Sequence, residues 1–359
     1  MKKQFILVIA ASMLSIIPLE AQFNRELMEK TIAGLSDSIY NYYIIEDKAR
    51  ELSDVLDKEL INGNLQNAAT AEEFTQAVNQ LMYTIAKDYH LNLYYSEKTR
   101  ANDSGEPGNE PDREKETREF LEANQYGIPN ARILPGNIGY LETSLFGPLD
   151  YCAEVIARAM KKIVDTDGLI IDLRNNRGSI YPNTIPFFSG YFFDKPVHLI
   201  NFENRSANTV RQMWSAAWVP GKKYLDKPVY ILTSNKTFSG AEEFAFDFKM
   251  LKRAIIIGEK TKGGANPIIT VRLNDHFHVS MPYEKAVNPV TGTNWEQIGV
   301  APDIEIDASK ALQFTNLTLL RNILATSADS IKNKTIRKAI DDIDTSNQKT
   351  APLKSALKG

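Results

Sequence analysis

Over residues 23–95 apolar side chains return every three to four positions: Leu27, Met28, Ile32, Leu35 and Ile39, then Leu52, Val55, Leu56 and Leu60, then Phe74, Ala77, Val78, Leu81, Met82 and Ile85. The spacing predicts three amphipathic helices, each with one face buried against the others. Gly63-Asn64 punctuates the second, and Thr70 with Glu73 forms a capping-box pattern that starts the third. Over 98–119 charge, Pro and Gly crowd out apolar residues, so a mobile linker or surface loop is expected, with 98–136 separating an N-terminal helical domain (22–97) from the rest. Beyond Pro135 the period changes. Short β-branched or aromatic runs at 138–141, 168–173, 197–202, 228–233 and 254–258 predict buried strands. Helical patterns at 149–164 and 240–251 lie between them, the alternation of an α/β domain (137–307) whose sheet is covered by helices. Residues 268–273 and 277–281, divided by Asn274-Asp275, predict a hairpin. The last stretch, 308–359, has helical spacing at Leu312, Leu317, Leu320 and Leu324 and carries no candidate chemistry.

The first residues bear on compartment. Lys2 and Lys3 precede an apolar run over 5–18, then Leu19-Glu20-Ala21 places a small residue before Gln22, the pattern of a secretory signal peptide over 1–21. The run falls short of the roughly 20 apolar residues that span a bilayer. No cysteine follows it for lipid attachment, so an exported chain, periplasmic or extracellular, without a membrane span after cleavage, is expected. Of the 359 residues 43% are hydrophobic and 24% charged, which supplies a globular core. A formal charge of -3 offers no basic field to hold a nucleic acid. Cys152 is the single cysteine, which excludes a disulfide framework, a cysteine zinc cage and an iron–sulfur cluster.

Candidate chemistry concentrates in four short stretches. In Thr233-Ser234-Asn235-Lys236-Thr237-Phe238-Ser239-Gly240-Ala241-Glu242-Glu243 a buried strand ends, a turn follows and a helix begins at a serine. Ser239 there is either an N-cap or a nucleophile, with the Gly240 N–H aimed at a developing oxyanion. A serine nucleophile needs a base, and only His90, His198, His276 and His278 exist. His90 lies in Lys87-Asp88-Tyr89-His90-Leu91-Asn92-Leu93-Tyr94-Tyr95, where a helix gives way to an extended segment. His198 sits within an apolar strand pattern. His276 and His278 share one face of the hairpin, a weak metal pair with no third ligand at matching spacing. In Asp167-Gly168-Leu169-Ile170-Ile171-Asp172-Leu173-Arg174-Asn175-Asn176-Arg177-Gly178-Ser179 a strand runs into a polar loop, the place where open α/β sheets put ligands. Gly178 there is a close-approach backbone donor or a simple tight turn. Gly258-Glu259-Lys260-Thr261-Lys262-Gly263-Gly264 lacks the order of a phosphate loop. Asn294-Trp295-Glu296-Gln297-Ile298-Gly299-Val300-Ala301-Pro302-Asp303 sets a carboxyl beside a large aromatic.

In this order and spacing the four stretches resemble the tail-specific, or C-terminal processing, serine peptidases, in the branch of interphotoreceptor retinoid-binding protein modules and the tricorn protease core. The resemblance covers 83–306 and is most specific from Pro220-Gly221-Lys222-Lys223-Tyr224-Leu225-Asp226-Lys227-Pro228-Val229 through Thr237-Phe238-Ser239 to Gly258-Glu259-Lys260-Thr261. It implies a crotonase/ClpP-like β-superhelix body behind a small three-helix domain. The interval 96–135 is too short and too charged for the PDZ domain that many such peptidases carry. The resemblance further implies that Ser239 is the nucleophile, that Gly178 and Gly240 form the oxyanion hole, that His90 is the base and that Glu296 is the orienting carboxylate. The position of the lysine used by Ser–Lys members falls on Gly264, and Lys262 stands one residue after Thr261. Ser179 replaces a second glycine after Gly178, and Lys262 replaces a glycine. No cofactor or metal is implied, and the partner is a polypeptide substrate. The competing reading is a non-catalytic carrier of retinoid-like apolar ligands, with Phe187, Phe188, Phe192, Phe193, Trp214 and Trp218 lining a pocket or packing as ordinary core.

Overall fold

Capping residues and periodicity set the front of the chain, where α1 (Arg25–Tyr42), α2 (Glu46–Ile61) and α3 (Ala71–Ala86) follow one another. The computed structural model describes residues 23–97, 110–180 and 183–350; the signal-peptide segment and the central part of the charged stretch lie outside them. Asn24 caps α1 by accepting the Leu27 N–H at 2.9 Å, and Thr70 caps α3 by accepting that of Glu73 at 3.2 Å. The chain continues through β1 (Asn92–Tyr95), α4 (Glu110–Ala123), β2 (Asn130–Leu134), β3 (Ile138–Glu142), α5 (Leu149–Ile163), β4 (Gly168–Asp172) and α6 (Thr184–Ser189). Next come β5 (His198–Asn204), β6 (Thr209–Trp214), β7 (Val229–Thr233), α7 (Gly240–Met250) and β8 (Ile255–Gly258). Last are β9 (Ile268–Arg272), β10 (Phe277–Pro282), β11 (Glu284–Val287), β12 (Ile304–Glu305), α8 (Ala308–Thr326) and α9 (Ser330–Thr350).

The central sheet has the order β12-β8-β7-β4-β3-β2, parallel from β12 to β3 with β2 antiparallel at the edge. Alternate residues serve its two faces. Leu169, Ile171, Val229 and Ile231 pack under Ile156 and Met160 of α5 and Phe244 and Phe248 of α7. Ile170, Tyr230 and Leu232 pack instead on Leu319 and Leu320 of α8 and Ile336 of α9. Burial on both faces explains why these strands read as unbroken apolar runs. The C-terminal helices, without chemistry of their own, cover the second face.

Two smaller sheets, β1-β10-β9 and β11-β5-β6, complete the architecture. The first joins the front helices to the body: Phe74, Val78 and Met82 of α3 and Ile32 and Leu35 of α1 share one core with Phe277, Val279 and Met281 of β10. The stretch expected as a linker is ordered over α4 and β2. Its helix gains support from ion pairs one turn apart, Arg118–Glu114 at 3.1 Å and Lys115–Glu119 at 3.9 Å, and is anchored by the fully buried Leu121. A single apolar anchor in a charged helix leaves little periodic signal, which is why the pattern missed it. β6 was also missed, because five of its six residues are exposed and only Met213 is buried, which gives no alternation to read.

Because the front helices and the hairpin share a core, Phe277→Ala is expected to cost about 3–5 kcal/mol by cavity formation. Urea unfolding followed by far-UV circular dichroism should show one lowered midpoint with an unchanged slope.

Candidate active site

β7 ends at Thr233, and the turn after it is laced onto the loop that follows β4. Thr237 Oγ1 donates to Leu173 O at 2.9 Å, Ser234 Oγ to Arg174 O at 2.5 Å, and the Phe238 N–H to Asn176 O at 3.2 Å. Ser239 then adopts φ 53° and ψ −125°, a conformation that costs a non-glycine residue about 1–3 kcal/mol. Its hydroxyl stands at the N-cap position of α7. It lies 3.2 Å from Nε2 of His90, 149 residues away in sequence.

The His90 side of the pair is built by the end of α3. Lys87 takes a left-handed conformation, and the Asp88 carboxylate accepts the His90 backbone N–H at 2.9 Å. The imidazole stacks on the Phe238 ring, centroids 4.7 Å apart. Burial, helped by the Lys262 ammonium, pushes the His90 pKa down to about 4, so the ring is neutral at neutral pH and able to accept a proton. On its far side, Asp88 Oδ1 stands 4.0 Å from Nδ1. Glu296 Oε2 accepts the Ala265 N–H at 2.7 Å, while Glu296 Oε1 and His90 Nδ1 have no hydrogen-bond partner among the described residues. One ligand atom each of Asp88, His90 and Glu296 lies within 4.8 Å of the others. A divalent cation held there would need a bare Nδ1, leaving Nε2 protonated and unable to accept from Ser239, so the three are better suited to orienting the ring than to ligating a metal.

A buried carboxylate that the sequence reading passed over holds these parts in register. Glu242 accepts the N–H groups of Ser239 (2.8 Å), Gly263 (2.7 Å) and Gly264 (2.9 Å) and the Thr261 hydroxyl. Burial raises its pKa, and the four donors oppose that rise. The signal was present: Ser239-Gly240-Ala241-Glu242 has capping-box spacing, and in the structure Glu242 accepts the Ser239 N–H as such a box requires.

The family described as "Peptidase family S41" matches residues 137–306. Residues 137–306 belong to peptidase family S41. A chloroplastic C-terminal processing peptidase of Tetradesmus obliquus is 26% identical over 50% of this chain and 38% of its own length. A putative tricorn-like protease C-terminal subunit of Sulfurisphaera tokodaii is 31% identical over 39% of this chain and 15% of its own. The chain therefore spans well under half of each of these curated relatives. Among solved structures, a lipoprotein from Streptococcus agalactiae aligns with 82% of this chain and 97% of its own at 18% identity and a TM-score of 0.55, a likeness of fold.

Within the S41 segment, Gly264 occupies the position that the resemblance assigns to a dyad lysine. A Cβ there would stand 2.2 Å from Phe238 and 2.7 Å from His90, so the histidine and its stacking partner fill the space a longer side chain would need. Lys262 does not reach Ser239 either: its Nζ rests 4.8 Å from the Tyr89 ring centroid and 4.7 Å from that of Phe238. Gly178 has φ 116° and would, with a Cβ, press on Ser239 Cβ at 2.8 Å, so only glycine fits beside the serine. The Gly178 N–H, expected as an oxyanion donor, donates here to Asn176 Oδ1 at 2.8 Å. The Gly240 N–H has no acceptor among the described residues, and Gly240 packs against Ser179.

The remaining histidines are occupied elsewhere. His198 stacks on Trp214 and pairs with Asn201 at 2.8 Å, His276 pairs with Ser96 O at 3.1 Å, and His278 stacks on Tyr94. Phe188 and Phe192 pack on Phe244 in the core beneath the sheet, Phe187 and Phe193 lie against the same core, and Trp214 and Trp218 are exposed, so the six aromatics do not line one pocket.

Two outcomes are expected. In a histidine proton NMR titration His90 should titrate with a midpoint near 4, well below an ordinary histidine, because its neutral form is favoured by burial. Glu242→Gln, which sets an amide NH₂ against two of the four donors whichever way the amide turns, should destabilise the fold by about 2–4 kcal/mol, read as a lowered melting temperature by differential scanning calorimetry.

Proposed function

We propose that the chain is an exported serine endopeptidase that cleaves polypeptides through an acyl-enzyme. Ser239 is the nucleophile, His90 the base, and Glu296 a carboxyl beneath the imidazole, on a crotonase-like β-superhelix body without a PDZ domain. The observation that carries this reading is the 3.2 Å approach of His90 Nε2 to Ser239 Oγ, with the imidazole neutral and the serine held in a strained turn at a helix start. In the first step Oγ attacks the peptide carbonyl carbon and its proton passes to Nε2. The tetrahedral oxyanion is held by the Gly240 N–H, with the backbone at Gly178 and Ser179 closing the other side. The C–N bond then breaks as Nε2 returns the proton to the leaving amine. Water, deprotonated by the same nitrogen, attacks the acyl carbon, and as the C–Oγ bond breaks Nε2 returns that proton to Oγ, releasing the carboxylic product and regenerating the serine.

The carboxyls on the Nδ1 side stabilise the imidazolium that forms in each half-reaction. Substrate enters the cleft as extended chain. The polar and aromatic rim formed by Tyr89, Phe238 and Lys262 borders the His90 side of that cleft. Among the described residues no helix is long and apolar enough to cross a membrane.

A fluorophosphonate probe should label the wild type on Ser239, and Ser239→Ala should abolish labelling. His90→Ala should lower hydrolysis of a casein-derived peptide by about four to six powers of ten in kcat. A folded wild type that neither takes the probe nor cleaves protein would end the proposal.

A further inference from the structure

The environment of His90 contains two carboxyls where an orienting acid needs to be one, and they are not equivalent. Asp88 is almost fully buried and accepts three donors: the His90 N–H at 2.9 Å, the Tyr43 hydroxyl at 3.1 Å on its other oxygen, and the Leu91 N–H. Glu296 accepts only the backbone N–H groups of Ala265 and Asn266, and its Oε1 is left without a partner. Two buried carboxyls this close cannot both carry charge without strong repulsion, and the charge settles where more donors face it. Asp88 has one more donor than Glu296, and one of its donors is a phenol held in place by complete burial of Tyr43. Its Oδ1 is also the oxygen that faces Nδ1 at 4.0 Å, from the same short turn that positions the ring.

We infer that Asp88, held by Tyr43, is the positioning carboxylate that fixes the His90 tautomer, and that Glu296 stands beside it as the uncharged member of the two carboxyls. The inference rests on the peptidase reading for its kinetic consequence and on the geometry alone for its tautomer consequence. A contraction of about 1 Å brings Nδ1–H into hydrogen-bond range of Oδ1, the kind of tightening that substrate binding produces in sites whose unliganded geometry is long. Tyr43 closes α1, so its contact makes the front helices part of the catalytic apparatus. The α1 end is pinned in turn by Arg205, whose guanidinium donates to Tyr43 O at 3.1 Å and Tyr40 O at 2.9 Å from the loop between β5 and β6. The Asp88-Tyr89-His90 spacing, aspartate two residues before histidine, is the sequence trace of this arrangement.

The test uses the full chain labelled with ¹⁵N-histidine, as wild type, Asp88→Asn, Tyr43→Phe and Glu296→Gln, with circular dichroism melts to establish folding. In the wild type the His90 ring should be protonated on Nδ1. Asp88→Asn should shift the population toward Nε2–H and lower kcat by about 10²–10⁴-fold with KM changed less than about threefold, the signature of a lost orienting acid. Tyr43→Phe should lower kcat several-fold with the same tautomer trend, and serves if Asp88→Asn does not fold. Glu296→Gln should lower kcat less than Asp88→Asn and keep Nδ1–H. The reverse ranking, with Asp88→Asn retaining both tautomer and rate while Glu296→Gln loses both, overturns the inference. If the folded wild type takes no serine probe, the peptidase reading fails, and the tautomer comparison still decides whether Asp88 orients the ring.

Discussion

The buried carboxylate of Glu242 holds together segments that have no other reason to meet. Its oxygens take the backbone N–H of Ser239 and two from the loop after β8, and they accept the hydroxyl of Thr261 as well. That loop in turn presents the Ala265 N–H to Glu296 and the Gly264 carbonyl to the Trp295 indole at 2.9 Å. A charge placed in a dry interior without such donors would be strongly destabilising, and with them it becomes rigid. The serine, the loop packed against the histidine and the acid beneath it are therefore located by one residue that itself has no place in the chemistry.

The second constraint is the docking of the front helices. His90 reaches Ser239 only because α3 delivers it across the joint between the helical front and the body. Apolar packing of α1 and α3 on β10 supplies most of the adhesion, and polar ties set the register: Gln297 Nε2 to Ala86 O at 3.0 Å, Asn274 Nδ2 to Thr31 Oγ1 at 2.8 Å, and the Arg205 guanidinium on the end of α1. Each such bond contributes only about 0.5–1.5 kcal/mol, but each fixes an angle that apolar contact leaves free. A helical segment that looks like an appendage in the sequence thus supplies one side of the His90–Ser239 contact.

Much of this could be read beforehand from particular residues. The strands of the central sheet announce themselves as apolar runs because both faces are covered, and the front helices as a repeat of three to four. Ser239 was visible from the strand–turn–helix context. Glu242 and Asp88 were not singled out, since a lone glutamate in a helix and a lone aspartate before a histidine look like solvated charge until the fold buries them. α4 escaped for the opposite reason: one buried leucine gives no period. The Gly178 N–H was expected to be a free donor, and only the folded loop reveals that the Asn176 side chain takes it.

The residue order alone determined the alternation of buried strands and helices, the turn that sets a serine at a helix start, and the absence of a lysine at the position now held by Gly264. These are local matters, decided by period, turn chemistry and the identity of single side chains. The tertiary structure alone decided which histidine meets the serine, that Phe238 and His90 fill the space beside Gly264, and that two carboxyls share the far side of the ring. Those outcomes depend on distances between segments far apart in the chain, which are set by how apolar faces dock and where buried charges find donors, and no local pattern encodes them.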